Sequence, residues 1–266
     1  MVELHHQLFN LKGKRALVTG GTQGIGAALA RALGESGASI IINARNPKKL
    51  EEGLNELKSI VPDVQGLLFD VTNARSVQKA IDEVEGNVGP IDILVNNAGI
   101  IRRSPAESLD EQDWYDVIQT NLSGAFLLSK YVGRQMIRRR KGKIINICSL
   151  MSELGRDTVT AYAAAKGGLK MLTRNLATEW APYNIQVNGI GPGYIATPIN
   201  ESYREPDNPI NEYILSRTPA GRWGIPEDLR GAAIFLASAA SDFVNGQIIY
   251  VDGGLLASFG KPIERK

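Results

Sequence analysis

The sequence has few of the residues on which metal sites and nucleophilic sites depend. Cys148 is the only cysteine among 266 residues, so no disulfide can form within the chain. The only histidines are His5 and His6, near the N-terminus. A histidine-based catalytic triad or histidine-rich metal site in the body of the chain is therefore excluded, and we expect no catalytic metal. We expect Cys148 to pack in a strand rather than to act as a nucleophile.

Long apolar runs and a charge imbalance are also missing. No segment has about 18 uninterrupted apolar residues, and the first residues lack the apolar stretch of a secretory signal. The net charge is +2, which gives no whole-chain reason to expect nucleic acid or a membrane as a partner. The densest basic run, RRRK at 138–141, is typical of a helix C-terminus. We therefore expect a soluble, cytoplasmic protein.

Short β-branched runs alternate with helix-length segments along the whole chain. This rhythm predicts a single-domain α/β fold of the doubly wound Rossmann type, with a seven-stranded parallel sheet and helices on both faces. Predicted strands lie at 15–19, 39–43, 66–69, 92–95, 143–148, 185–190 and 247–251, and predicted helices include 24–35, 74–85, 114–137 and 162–180. The domain spans 1–266, with an N-terminal tail at 1–10. An insertion at 198–222 could form a substrate-side lid or a plain pair of surface helices.

A glycine-rich turn, TGGTQGIG, follows the first predicted strand and precedes the first predicted helix. Gly20, Gly24 and Gly26 let the backbone turn tightly and bring a diphosphate close to a helix N-terminus, where free N–H groups favour anions. The position of the turn between strand and helix makes a dinucleotide site the expected function. Further cofactor contacts are expected in the same turn, at Thr22, Gln23 and Ile25.

The residue that ends the second strand usually contacts the adenosine ribose of the dinucleotide. A carboxylate there would bind both ribose hydroxyls and repel a 2′-phosphate. Here the strand ends Asn43-Ala44-Arg45, with no acidic residue. The Arg45 guanidinium suits a 2′-phosphate, so the sequence favours NADP over NAD, with NAD still possible and a solvated loop arginine as the alternative.

Ser149, Tyr162 and Lys166 have a spacing that proton transfer can use. Residues four apart share one face of a helix, so the Lys166 ammonium can lie beside the Tyr162 phenol and stabilise its phenolate. Ser149 ends an apolar strand, KIINICS, and the carboxyl ends of strands are where open α/β sheets bind ligands. The spacing therefore predicts an acid/base site, whereas Tyr-Ala-Ala-Ala-Lys alone is also simply a good helix.

Several short motifs occur in an order that is known from one enzyme family. They are TGGTQGIG, Asn96-Asn97-Ala98-Gly99, Asn121, Ser149, Tyr162-x3-Lys166 and Pro192-Gly193. On these motifs the chain resembles the short-chain dehydrogenase/reductase family from about residue 11 to residue 254. The resemblance implies hydride transfer between a nicotinamide dinucleotide and an alcohol or a carbonyl group, and a homotetramer.

The resemblance also implies roles for individual residues. Tyr162 would be the general acid/base, Lys166 would support its ionisation and bind the nicotinamide ribose, and Ser149 would hydrogen-bond the reacting oxygen. Asn121 would hold a water of the proton relay, Asn97 would stabilise the sheet near the cofactor, and Asp70 would hydrogen-bond the adenine. The remaining implied cofactor contacts are Val71, Ala98, Gly99, Pro192, Gly193, and Ile195 with Thr197 at the carboxamide.

Two arginines, Arg102 and Arg103, directly follow the Asn-Asn-Ala-Gly motif. A pocket arginine suits a carboxylate through two parallel charge-assisted hydrogen bonds. The stretches SLMSELGR, NIQVNGIGPGY and RTPAGRWG resemble the gluconate 5-dehydrogenase group of the family. That resemblance implies interconversion of D-gluconate and 5-keto-D-gluconate. Arg103 is the preferred carboxylate contact, Arg102 the second, and Glu153 could accept hydrogen bonds from sugar hydroxyls, while Arg156 is a weaker candidate.

Three other functions stay open. Another keto-sugar acid, such as 2-keto-3-deoxygluconate or 2-deoxygluconate, would use the same arginines equally well. A 3-oxoacyl carrier-protein reductase shares the fold but needs a basic docking patch that the sequence does not locate. A non-catalytic dinucleotide sensor would be expected to have lost Ser149, Tyr162 or Lys166, and all three are present.

Overall fold

Seven strands form one fully parallel sheet in the computed structural model, which describes residues 7–259. They are β1 (Arg15–Thr19), β2 (Ser39–Ala44), β3 (Val64–Leu68), β4 (Ile93–Asn96), β5 (Gly142–Ile147), β6 (Ile185–Pro192) and β7 (Ile248–Val251). Their order across the sheet is β3-β2-β1-β4-β5-β6-β7. The chain leaves β1 toward one edge for β2 and β3 and returns beside β1 as β4. This reversal is the topological switch point, where doubly wound sheets open a ligand crevice.

Eight α-helices connect and cover the strands within the described part of the chain. They are α1 (Gly24–Glu35), α2 (Pro47–Lys58), α3 (Ala74–Asn87), α4 (Glu111–Ile118), α5 (Gly124–Arg139), α6 (Thr160–Trp180), α7 (Pro209–Arg217) and α8 (Arg230–Ala237). Side chains of Asn46, Asn73, Asp110 and Asn208 accept backbone N–H groups at the starts of α2, α3, α4 and α7. Short polar caps of this kind fix where helices begin.

The two faces of the sheet bury separate apolar clusters. One cluster packs Leu29 and Leu33 of α1 and Leu236 of α8 against β1 and β2. The other packs helices α3, α5 and α6 against the opposite face, where Leu17 and Leu94 point. Both faces of the central strands are therefore buried, which is why these strands are continuous apolar runs in the sequence. The predicted doubly wound fold is confirmed.

A chain of buried amides and hydroxyls links the centre of the sheet to α6. Asn96 of β4 donates to the Oδ1 of Asn146 on β5 at 2.8 Å. Asn146 in turn donates to the hydroxyl of Thr173 on α6, also at 2.8 Å. Because buried polar groups are costly unless paired, these bonds favour one register of α6 on the sheet.

Several element boundaries differ from the sequence prediction. β3 begins at Val64, two residues early, and β6 continues to Pro192. The predicted helix at 114–137 is α4 and α5 joined by a π-turn at Gln119–Ser123. The basic run at 138–141 does end α5, with Arg140 in the left-handed conformation.

The insertion at 198–222 contains a 3-10 helix, Pro198–Arg204, followed by α7. A mobile lid at this place stays a prediction. Most of the predicted N-terminal tail, residues 1–6, lies outside the described residues. Within 7–259, no helix combines the length and the apolar character that a membrane span requires.

Candidate active site

The carboxyl ends of the central strands and the start of α1 enclose a cleft of about 510 Å³. Most of the residues predicted for the site line this cleft: Gly20, Thr22, Gln23, Gly24, Ile25, Gly26, Asn97, Ala98, Gly99, Arg103, Asn121, Ser149, Tyr162, Lys166, Pro192, Gly193, Ile195 and Thr197. They come from strand ends, loops and helix starts that are far apart in sequence but meet at one edge of the parallel sheet. The topology therefore brings the glycine turn and the predicted acid/base residues to one place.

The glycine turn fits a diphosphate group. Gly24 has a φ of +55°, a backbone conformation that residues other than glycine rarely adopt. A Cβ at Gly26 would lie 2.2 Å from the carbonyl oxygen of Gly20, so only glycine lets α1 start this close to the turn. The side chain of Gln23 does not cap α1, and the first N–H groups of the helix remain available to an anion in the cleft.

Asn97 and Thr19 hold the end of β4 against the glycine turn. The Asn97 side chain donates to the carbonyl oxygens of Thr19 and Gly20, at 2.9 and 3.0 Å. The Thr19 hydroxyl accepts the backbone N–H groups of Asn97 and Ala98, at 3.0 and 3.1 Å. Asn97 therefore stabilises the centre of this edge; its contact with a cofactor ribose stays a prediction.

Tyr162 and Lys166 occupy the first turns of α6, and Ser149 follows β5. Lys166 is only 4% exposed, and its ammonium donates to the carbonyl oxygen of Ile147 at 2.6 Å. The Lys166 Nζ lies 5.5 Å from the centre of the Tyr162 ring. This geometry holds the ammonium within cation–π distance of the Tyr162 ring.

The hydroxyl of Ser149 is oriented by its own turn. Its Oγ accepts the backbone N–H of Met151 at 3.1 Å. One lone pair is thereby used, and the hydroxyl hydrogen is left to be donated elsewhere. Ser149 lines the cleft together with Tyr162.

Asn121 lies in the π-turn between α4 and α5 and is 1% exposed. Its amide nitrogen donates to the carbonyl oxygens of Ile100 and Val117, at 2.8 and 2.9 Å. Its Oδ1 has no hydrogen-bond partner among residues 7–259 and faces Gly99, where a Cβ would come within 2.5 Å of it. π-turns are frequent at functional sites. The water-holding role of Asn121 stays a prediction.

Two of the predicted substrate contacts lie outside the cleft. The Arg102 Nε is paired with Asp113 at 3.0 Å, on the exposed side of the loop. Glu153 is paired with Lys170 and accepts a hydrogen bond from the Tyr250 hydroxyl at 2.7 Å. These bonds, that of Lys170 first, hold the pKa of the Glu153 carboxyl below its ordinary value. The structure thus engages both charges in ion pairs and does not bring them to the residues that would hold a substrate.

Three predicted cofactor contacts also lie beyond the cleft lining. Arg45 is exposed at the end of β2. The Asp70 Oδ1 accepts both the N–H and the hydroxyl of Thr72, each at 2.8 Å, and Val71 is buried beside it. Lys49, in the first turn of α2, does line the cleft, although the sequence interpretation did not include it. Lys49 could have been found from the sequence, because it lies four residues after Arg45, near the expected 2′-phosphate position.

Comparison with known proteins identifies the family. The family model for short chain dehydrogenases matches residues 14–208. The chain belongs to this family. The family member from Formosa agariphila, a 2-dehydro-3-deoxy-D-gluconate 5-dehydrogenase, is 54% identical over 96% of this chain and 97% of its own.

Two other relatives in the family have similar coverage. A 5-keto-D-gluconate 5-reductase of Escherichia coli is 49% identical over 95% of this chain and 99% of its own. The crystal structure of a gluconate 5-dehydrogenase from Burkholderia cenocepacia, in complex with NADP and tartrate, superimposes with a TM-score of 0.92. Its sequence is 49% identical, and the match covers 96% of this chain and 99% of that one.

In the present protein, two arginine–tyrosine contacts flank the cleft. The Arg103 guanidinium carbon lies 5.4 Å from the centre of the Tyr203 ring. Arg156 donates to the Tyr194 hydroxyl at 3.2 Å, and Trp223 packs edge-on against the same tyrosine. Tyr194 and Tyr203 were not among the site residues predicted from the sequence, because neither belongs to a periodic pattern. Both arginines line the cleft, and the Asp157 carboxylate lies 3.9 Å from the Arg156 Nε.

Cys148 lies directly before Ser149 and is 2% exposed. Burial raises the pKa of its thiol to about 11, although the nearby Lys166 charge acts in the opposite direction. Because only the thiolate is nucleophilic, this cysteine is chemically quiet near neutral pH. Its place in the strand end agrees with a packing role.

Thiol labelling tests this reading. At pH 8 we expect the native protein to react with iodoacetamide at least about 100-fold more slowly than the urea-unfolded chain, since a free thiol has a pKa of about 8.5. The native rate should rise with pH throughout the range from 7 to 9. Labelling of the native thiol at the unfolded rate would show that Cys148 is an accessible thiolate instead.

Proposed function

We propose that this family member is an NADP(H)-dependent oxidoreductase of a six-carbon sugar acid, with D-gluconate and 5-keto-D-gluconate as the preferred pair. One observation carries the proposal: Ser149, Tyr162 and Lys166 line the same cleft as the glycine turn of α1. The names of the relatives from Formosa agariphila and Escherichia coli both describe reaction at carbon 5 of a sugar acid. Together these support a carbonyl-reducing site with a carboxylate-bearing ligand.

NADPH, when bound, supplies the hydride that reduces the carbonyl carbon. Tyr162 donates its phenolic proton to the oxygen that becomes the alcohol, and Ser149 donates a second hydrogen bond to that oxygen. The phenolate that Tyr162 leaves behind is stabilised by the Lys166 ammonium, which the Ile147 carbonyl keeps in position. Oxidation of the alcohol uses the same residues, with Tyr162 accepting the proton.

Arg103 is the proposed contact of the substrate carboxylate. It lines the cleft, its guanidinium carbon lies 5.4 Å from the centre of the Tyr203 ring, and it forms no ion pair with another residue of 7–259. D-Gluconate and 2-keto-3-deoxygluconate both carry the carboxylate at carbon 1 and differ at carbons 2 and 3. One arginine can therefore bind either acid. The rival substrate is 2-keto-3-deoxygluconate, which the name of the relative from Formosa agariphila supports.

Lys49 and Arg45 are the proposed contacts of the 2′-phosphate. Lys49 lines the cleft from α2, the helix that follows the strand end at which the adenosine ribose is usually read. Arg45 lies between that strand and that helix and is exposed. NADP in the Burkholderia cenocepacia structure supports the same cofactor here. NADH as a weaker alternative is compatible with these contacts.

A homotetramer is part of the proposal and rests on the family. Tyr115, Phe126 and Met171 expose large apolar side chains on α4, α5 and α6. Leu255 of the C-terminal segment packs within its own subunit at 5% exposure. Phe243 and Phe259 are fully exposed near β7.

Initial rates with purified protein test the proposed reaction. We expect NADPH-dependent reduction of 5-keto-D-gluconate, and NADP-dependent oxidation of D-gluconate faster than that of 2-keto-3-deoxy-D-gluconate. The reverse order would make 2-keto-3-deoxygluconate the substrate. Binding of NADPH, measured by its fluorescence, without turnover of any of these acids would point to a dinucleotide sensor and contradict the proposal.

Arg103→Ala and Arg102→Ala form a matched pair for the carboxylate contact. Loss of a charge-assisted pair should lower kcat/KM for 5-keto-D-gluconate by at least about tenfold in Arg103→Ala, which corresponds to about 1.4 kcal/mol. Arg102→Ala, which removes only an exposed ion pair, should stay within about threefold. An Arg103→Ala enzyme that also stays within threefold would mean that the carboxylate binds elsewhere, with Arg156 as the next candidate.

Lys49→Ala tests the reading of the cofactor. We expect its KM for NADPH to rise about tenfold while the KM for NADH changes little, because only NADPH carries the 2′-phosphate. The neighbouring Lys48→Ala, which removes an exposed lysine outside the cleft lining, is the control. Arg45→Ala should resemble Lys49→Ala if both cations share the phosphate. A wild-type preference for NADH would contradict the assignment of both residues.

A further inference from the structure

Ser152 joins two segments of the site without lining the cleft. It ends the short 3-10 helix Leu150–Ser152 that follows Ser149. Its hydroxyl oxygen accepts the backbone N–H of Ser149 at 3.3 Å. The same hydroxyl donates to the backbone carbonyl of Lys166, on α6, at 2.9 Å.

These two hydrogen bonds fix the role that the hydroxyl can have. A serine hydroxyl has one hydrogen, and that of Ser152 is directed to the Lys166 carbonyl. Ser152 therefore has no proton to offer a substrate, and its side chain lies outside the residues that line the cleft. What it does is connect the backbone of Ser149 to the helix that carries Tyr162 and Lys166.

Other bonds of the turn do not replace this connection. The backbone bonds from Ser152 to Ser149 and from Glu153 to Leu150, both 3.0 Å, stabilise the turn internally. The Lys166 ammonium ties α6 to the end of β5 at Ile147, and Lys170 ties α6 to the exposed Glu153. Only the Ser152 hydroxyl, among the side-chain hydrogen bonds of residues 7–259, reaches the backbone of Ser149 itself.

We propose that Ser152 is a positioning residue that sets where the Ser149 hydroxyl stands relative to the Tyr162 phenol. Both hydroxyl groups must reach one reacting oxygen, and small displacements of positioned groups cost large factors in rate. The proposal rests on the proposed carbonyl reduction but not on the identity of the sugar acid. It adds to the acid/base residues a hydroxyl that acts through Ser149.

Ser152→Ala removes both hydrogen bonds and little volume. We expect the rate of NADPH oxidation in single turnovers to fall about tenfold, while the KM values for NADPH and for the acid stay within about twofold. Ser152→Thr keeps a hydroxyl and should recover the rate to within about threefold of wild type. Ser241→Ala is the matched control, since that buried hydroxyl bonds to Leu236 and Ser238 far from the cleft. It should lower Tm and leave the rate unchanged.

A double-mutant cycle with Ser149→Ala separates positioning from a general structural effect. If Ser152 acts through Ser149, Ser152→Ala should change the rate less than about twofold once Ser149 is already alanine. A full tenfold loss in that background would overturn the proposal. So would an unchanged rate in Ser152→Ala alone, or a Ser152→Thr enzyme as slow as Ser152→Ala.

The substrate for the cycle is whichever acid the wild-type protein turns over fastest. Turnover by the wild type with no effect of Ser152→Ala rejects the positioning role and leaves the proposed function standing. Turnover of none of the acids by the wild type rejects both. Turnover of an unexpected acid, with the expected cycle, corrects the substrate and supports Ser152.

Discussion

The site depends on the buried hydrogen bond from the Lys166 ammonium to the Ile147 carbonyl. A buried ammonium is costly unless it is paired, and a carboxylate partner would cancel its charge. A neutral carbonyl satisfies the hydrogen bond and leaves the charge uncompensated. That charge then acts on Tyr162, whose ring centre is 5.5 Å away, and the same bond attaches α6 to the end of β5. One interaction thus supplies the electrostatics and part of the geometry.

The polar networks of the sheet extend this attachment to the cofactor side. Asn146 on β5 accepts a hydrogen bond from Asn96 of β4 and donates one to Thr173 of α6, so the helix that carries Tyr162 and Lys166 is held by the central strands. The next residue, Asn97, holds the glycine turn through Thr19 and Gly20. Adjacent asparagines therefore serve opposite halves of the cleft. Hydride and proton transfer to a single carbonyl group require that the two halves of the cleft keep a fixed separation.

Sequence reasoning succeeded where the decisive spacing is local. The glycine turn, the Tyr-x3-Lys pair and the apolar strands follow from short-range geometry, and the parallel topology brings their ends together. The sequence does not fix where side chains on loops point, because no period applies to them. Arg102 and Arg103 are neighbours, yet one pairs with Asp113 outside and the other stacks on Tyr203 inside. Glu153 is held by Tyr250, 97 residues away, a partner that local pattern does not reveal.

The two cleft arginines are not equivalent in what they can offer a carboxylate. Stacking on an aromatic ring uses the face of a guanidinium and leaves the edge N–H groups free for two parallel hydrogen bonds. The Arg103 guanidinium lies over the Tyr203 ring, a contact that uses none of its N–H donors. Arg156 already donates one edge N–H to the Tyr194 hydroxyl. Arg156 also lies over a tyrosine ring, that of Tyr194 at 5.7 Å, so the two arginines differ in this hydrogen bond and in the Asp157 carboxylate 3.9 Å from the Arg156 Nε. Among residues 7–259 Arg103 has neither contact, which is why Arg103 is the proposed contact of the carboxylate.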